Sequence, residues 1–178
     1  MLTVAASNAD DGRGAVYVFE RSASSDWQET ARLTASDATD GDRFGAAVAA
    51  QGDALLIGAP GRTGGRGAVY LFKKDPASMT WTQHAMVEGS IAEAGHDFGA
   101  ALAVSGEHAL VGAPGYNDSK GAVYALRYDE AANAWVEQSM FMASDTTSIS
   151  TTRSMRSTAS SKARGPSSGT SPTSTILS

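Results

Sequence analysis

Four landmarks recur along this chain at a nearly constant step, and that register limits the folds open to it. Phe44-Gly45 returns as Phe98-Gly99, and Gly58-Ala59-Pro60 returns as Gly112-Ala113-Pro114. Gly14-Ala15-Val16-Tyr17 comes back at 67–70 and at 121–124. Trp27, Trp81 and Trp135 keep a step of 54, and each of the first two stands 17 residues before a Phe-Gly. A self-similar period of this size marks a solenoid, a propeller or an array of stacked units.

One period reads as four short strands. Residues 44–50 alternate Phe, Ala, Val, Ala with Gly and Ala, the period-2 signal of a strand whose second face meets close neighbours. Residues 54–58 are a short apolar run suited to burial on both faces, ended by Pro60, which has no N–H for a ladder. A turn-rich loop with four glycines follows at 61–67, and then a β-branched and aromatic strand at 68–72. The fourth strand, 81–87, carries Trp81, Gln83, Ala85 and Val87 on one face. Four antiparallel strands with short connections make a propeller blade.

The order Phe-Gly, Gly-Ala-Pro, Gly-Ala-Val-Tyr resembles the FG-GAP repeat of integrin-alpha-type β-propellers. The likeness covers residues 1–145, with two full repeats and one partial one. WD and kelch repeats carry other signatures, and the WD period of about 40–45 residues is too short. The resemblance implies a closed ring of about seven blades in the parent protein, used for extracellular recognition. The expected fold class is therefore all-β: an incomplete β-propeller of about two full four-stranded blades plus a partial one. Its units are a partial blade at 1–33 and blades at 34–87 and 88–143. Aligned on Gly14 and Gly67, residues 2–4 fall on the 55–57 strand, so the chain is expected to begin inside a repeat.

A ring of four or more such blades needs more than about 216 residues, and this chain has 178. Open blade edges lead us to expect self-association and marginal stability. There are no cysteines, so disulfide and thiol chemistry do not enter. A net charge of −5 argues against nucleic acid as a partner, and no run of 18 apolar residues is available for membrane insertion.

Residues 146–178 differ in kind. They hold 19 Ser or Thr, four basic residues, no acids and no aromatics, a composition expected to be disordered. Thr152-Arg153 stands where the next Phe-Gly is due and Pro166-Ser167-Ser168 where the next Gly-Ala-Pro is due. A Ser/Thr-rich stalk and a frameshifted end of the reading frame both account for this; the sudden loss of register favours the frameshift.

For a cation the candidates are Asp37, Asp40 and Asp42, because hard cations need six or more oxygens gathered by a tight loop. The resemblance places calcium loops between the Phe-Gly and Gly-Ala-Pro strands. There this chain has Gln51-Gly52-Asp53 and Ser105-Gly106-Glu107, turns too short to wrap an ion. The Asp37 cluster is expected to be a solvated inter-blade turn. His84, His96 and His108 are spaced by 12, but the 54-residue register sends them to a strand, an inter-blade loop and a turn. No metal and no cofactor is therefore assigned. Residues 1–145 hold no Gly-x-Ser-x-Gly elbow, no Gly-Lys-Ser/Thr phosphate loop occurs, and the paired carboxylates Asp10-Asp11 and Asp129-Glu130 fall in turns. The chain is not expected to be an enzyme.

The loops after the Gly-Ala-Pro positions, 8–13, 61–66 and 115–120, keep their length while their side chains change. Such loops suit a scaffold that presents variable surfaces. Arg62, Arg66, Tyr116, Asn117 and Asp118 are the expected partner-facing residues, toward a protein or glycan ligand. Asn117-Asp118-Ser119 also matches the N-glycosylation acceptor. The three tryptophans repeat too regularly for a ligand-binding set and are expected to pack in the core. The function expected is non-catalytic recognition in a secreted or cell-surface parent. The alternatives are an accessory propeller domain of a secreted hydrolase or lipase, and a truncated product with no function of its own.

Overall fold

The computed structural model describes residues 1–143 and shows an all-β array of three antiparallel sheets. The first sheet contains β1 (Leu2–Ala6), β2 (Ala15–Arg21) and β3 (Trp27–Leu33). The second contains β4 (Ala47–Gln51), β5 (Ala54–Ala59), β6 (Ala68–Lys74) and β7 (Trp81–Val87). The third contains β8 (Ala101–Ser105), β9 (His108–Ala113), β10 (Ala122–Asp129) and β11 (Ala134–Phe141). Each strand pairs only with its sequence neighbours, which is the order of an incomplete β-propeller. The Ser/Thr-rich segment, with the disorder expected of it, lies outside the described residues.

Registers repeat along with the residues. Ala6 opposes Ala15 in the first sheet, Ala59 opposes Ala68 in the second, and Ala113 opposes Ala122 in the third. The ladder shifts register after Val18, after Leu71 and after Ala125, one bulge at the same place in each sheet. A bulge bends its strand and increases local twist, so each sheet is shaped in the same way.

Two expectations are corrected here. The first strand of a repeat begins at Ala47, not at Phe44. Gly45 has φ +92, outside the β region, so Phe44-Gly45 is a bend that leads into the strand. The second correction concerns the tryptophans. Trp135 is 9% exposed and Trp81 is half-buried, but Trp27 is 51% exposed.

The position of the core accounts for that asymmetry. Buried side chains gather between sheets in two clusters. Val16, Val18 and Leu33 of the first sheet meet Phe44, Leu55, Ile57, Tyr70 and Phe72 of the second. Leu56, Val69 and Leu71 of the second sheet meet Phe98, Val111, Tyr124, Leu126 and Trp135 of the third. Trp81 packs on the first cluster and Trp135 belongs to the second, each on the side of the preceding sheet. Trp27 sits on the first sheet, with no described sheet before it. Full burial of a Phe contributes about 1.5–3 kcal/mol, so Phe44 and Phe98, both fully buried, are principal members of their clusters.

Trp135→Ala is expected to destabilise the chain by about 3–5 kcal/mol, whereas Trp27→Ala should change stability by about 0.5 kcal/mol or less. Urea unfolding of both variants, followed by circular dichroism, checks the difference.

Candidate functional site

The three loops of constant length share one backbone. Asp10, Asp11 and Gly12 have φ of 52, 58 and 80, Thr63, Gly64 and Gly65 have 51, 68 and 88, and Asn117, Asp118 and Ser119 have 50, 55 and 64. Three consecutive left-handed residues make a tight turn that L-residues form at a cost, with Gly, Asn and Asp paying least. That cost explains the composition of these loops. Asn117 and Asp118 stand where the backbone asks for residues tolerant of this region, and Thr63 is the β-branched exception.

The turn projects carbonyls toward the next sheet. Asp11, Gly12 and Arg13 accept hydrogen bonds from the N–H groups of Gly41, Arg43 and Phe44 at 3.1, 2.7 and 3.1 Å. Gly64, Gly65 and Arg66 accept from Gly95, Asp97 and Phe98 at 3.1, 2.7 and 3.3 Å. Each Phe-Gly segment is therefore fastened to the left-handed turn of the preceding sheet. A Cβ at Gly14 or at Gly67 would lie 2.1 Å from the carbonyl oxygen of Phe44 or of Phe98. Only glycine allows that approach.

Of the residues expected to face a partner, Arg62 is tied inward. It donates to Asp37 Oδ2 at 2.8 Å and to Glu88 Oε1, while Tyr70 Oη donates to Asp37 Oδ1 at 2.8 Å. Burial opposes the charge on Asp37, but the hydrogen bonds from Arg62 and Tyr70 outweigh it and hold the carboxyl below its usual value. Burial likewise opposes the charge on Arg62, but its hydrogen bonds and attraction to Asp37 and Tyr70 together outweigh it and hold the proton more firmly than on a free guanidinium. Arg66 is half-buried, its Nε 3.5 Å from Glu88 Oε2. Tyr116 packs edge-on against His96, with ring centroids 4.9 Å apart. Asn117 is half-buried and Asp118 exposed, so the structure does not gather the five residues into one exposed patch. Exposed side chains of these turns include Asp10, Asp11 and Thr63, which were not among the residues expected to face a partner; Asp10 and Thr63 share the loop position of Asn117 and Asp11 that of Asp118, and this was the signal available.

The acidic cluster is divided among three tasks. Asp37 takes Arg62 and Tyr70, Asp40 takes Arg13 at 2.7 Å across the sheet boundary, and buried Asp42 accepts from Thr39 N and Thr39 Oγ1, both at 2.8 Å. His96, the repeat counterpart of Asp42, does the same work: its Nδ1 accepts from the Glu93 N–H at 3.0 Å. Both side chains lock the turn that precedes Phe-Gly. Among the described residues, no group of three or more His, Asp or Glu is arranged to hold a metal ion.

Between the second and third sheets runs an apolar groove lined by Ala49, Leu56, Leu71, Val104 and Trp135. Lys73 crosses its rim, donating to Tyr128 Oη at 2.5 Å and to Asn133 Oδ1 at 2.7 Å. Across the first boundary Lys74 pairs with Glu20 at 2.6 Å. Both lysines tie adjacent sheets together.

The tyrosine of Gly-Ala-Val-Tyr shows what a changed counterpart does. Ile91 occupies the repeat position of Asp37 and Tyr116 that of Arg62. Tyr124 Oη is accordingly buried without a hydrogen-bond partner among the described residues, and burial, together with Glu137 and Tyr116, pushes its pKa up to about 12.

The FG-GAP repeat family matches the chain at residues 27–72 and 81–126. No curated protein matches it. Among solved structures, a Bacteroides fragilis protein of unknown function is similar over 81% of this chain and 94% of its own, at 7% identity and a TM-score of 0.29. So low a score adds nothing to the fold described above.

Tyr70→Phe should cost about 1–2 kcal/mol by stripping Asp37 of a donor, while Tyr124→Phe should be neutral or stabilising; urea denaturation of the pair decides. Asp37→Asn tests the ion pair by pH. The folded carboxyl titrates below its usual 3.8, so its stabilisation is present above about pH 4 and fades as pH falls through the lowered value. The gap between wild type and variant should be open at pH 6 and close on acidification; a gap independent of pH assigns it to packing instead.

Proposed function

The chain belongs to the FG-GAP repeat family, and on that premise we propose that it is a non-catalytic recognition scaffold whose left-handed turns present side chains to a protein or glycan ligand. One observation carries this reading. The three turns hold the same backbone while their contents change from Asp-Asp-Gly to Thr-Gly-Gly to Asn-Asp-Ser. The backbone is fixed by hydrogen bonds to the neighbouring sheet at the first two turns. Fixed supports with interchangeable side chains give precise placement at little entropic cost on binding.

The contact residues are the exposed ones, Asp10, Thr63 and Asp118, with Asn117 at the edge. Arg62 and Arg66 act from behind by holding Glu88 and, for Arg62, Asp37. The parent protein is proposed to work at the cell surface or in the extracellular space, where recognition of this kind is used in adhesion.

Screening the full chain against arrays of glycans and purified extracellular proteins tests the proposal. Asp10→Asn, Thr63→Gly and Asp118→Asn combined, which keep residues tolerant of the left-handed region, should weaken any captured ligand by about tenfold or more, as loss of two to three contacts would, with the unfolding midpoint measured alongside to separate binding from folding. Undiminished binding by the triple variant would sink the assignment of these turns.

A further inference from the structure

The third sheet repeats the receiving half of a contact that the first two sheets have already completed. Its turn is left-handed at Asn117, Asp118 and Ser119, and Gly121 has φ +80, beside +84 at Gly14 and +82 at Gly67. The counterparts of the accepting carbonyls are those of Asp118, Ser119 and Lys120, and no described backbone N–H is given to them outside the turn itself. A Cβ at Gly121 would meet nothing nearer than Pro114 at 3.8 Å, where the other two glycines meet a phenylalanine carbonyl at 2.1 Å.

The sheet face around this position tells the same story. Leu110 is 48% exposed and Val123 39%, while their counterparts Leu56 and Val69 are 3% and 1% exposed beneath the third sheet. Receiving carbonyls, a glycine that admits close approach and an apolar face thus occur together.

We propose that this face is a docking site for a Gly-x-x-Phe-Gly segment supplied by a further repeat, one that residues 1–178 do not contain. The pattern is taken from the two completed contacts, Gly41-Asp42-Arg43-Phe44-Gly45 and Gly95-His96-Asp97-Phe98-Gly99. In each, the first, third and fourth residues donate N–H groups to the turn, and the phenylalanine enters the cluster between sheets. A second copy of this chain does not supply the segment, because both of its Phe-Gly pairs are already seated at Gly14 and Gly67. Residues 144–178 contain no Phe-Gly. The inference is independent of the recognition reading above, which concerns side chains of the turns and not their carbonyls.

The test uses the full 178-residue chain and a fluorescent peptide of residues 93–105, followed by anisotropy. Saturable binding is expected. It should weaken about tenfold or more when the peptide carries Phe98→Ala or an N-methyl group at Asp97, and when the chain carries Gly121→Ala. Circular dichroism establishes whether Gly121→Ala folds; if it does not, the N-methyl peptide decides alone. Absence of saturable binding, as when residues 144–178 or a second copy cover the face, overturns the proposal. So does equal affinity for the N-methyl peptide or for folded Gly121→Ala.

Discussion

Neighbouring sheets are joined by a backbone contact: three N–H groups of a Phe-Gly segment meet three carbonyls of a left-handed turn. The geometry demands three residues at positive φ in a row and a glycine close behind them, both unfavourable for most sequences. What compensates is the placement of the phenylalanine that follows. Once the segment is fastened, Phe44 and Phe98 are held edge-on to Tyr70 and Tyr124, at 5.5 and 5.0 Å between centroids, and closed off from water. Hydrogen bonds fix the position, and apolar burial supplies most of the free energy.

Because the core forms between sheets, stability is a property of boundaries. A sheet of this kind has little interior of its own, and its apolar residues are buried only where a neighbour lies against them. The contrast between Trp27 and Trp135 follows directly, as does that between Leu110 and Leu56. Polar ties follow the same plan. Arg13 reaches Asp40, Lys74 reaches Glu20 and Lys73 reaches Tyr128, each across a boundary.

Repetition also separates what each position must do from which residue does it. Asp42 and His96 differ in charge and shape yet each accepts one backbone N–H in the turn before Phe-Gly. Asp37 and Ile91 occupy one position to opposite effect: the acid gives Tyr70 a partner, and the isoleucine leaves the hydroxyl of Tyr124 with none among the described residues. Such an exchange alters local electrostatics without disturbing the register, which resides in the backbone.

The period, the four-strand unit and the all-β class were legible in the sequence, since strand alternation, Gly-Ala-Pro breaks and the 54-residue step are local properties of side chains. The FG-GAP likeness was legible for the same reason. The site was less so. Constant loop length suggested a presenting surface, and nothing local disclosed that the loop carbonyls fasten the next sheet or that Arg62 is held by Asp37 and Glu88, 25 and 26 residues away. Phe44 read as the start of a strand because its pattern alternates, yet φ at Gly45 makes it a bend. Sequence determined which residues repeat; tertiary structure alone decided which copies of each are buried, paired or open, because burial here depends on whether another sheet lies alongside.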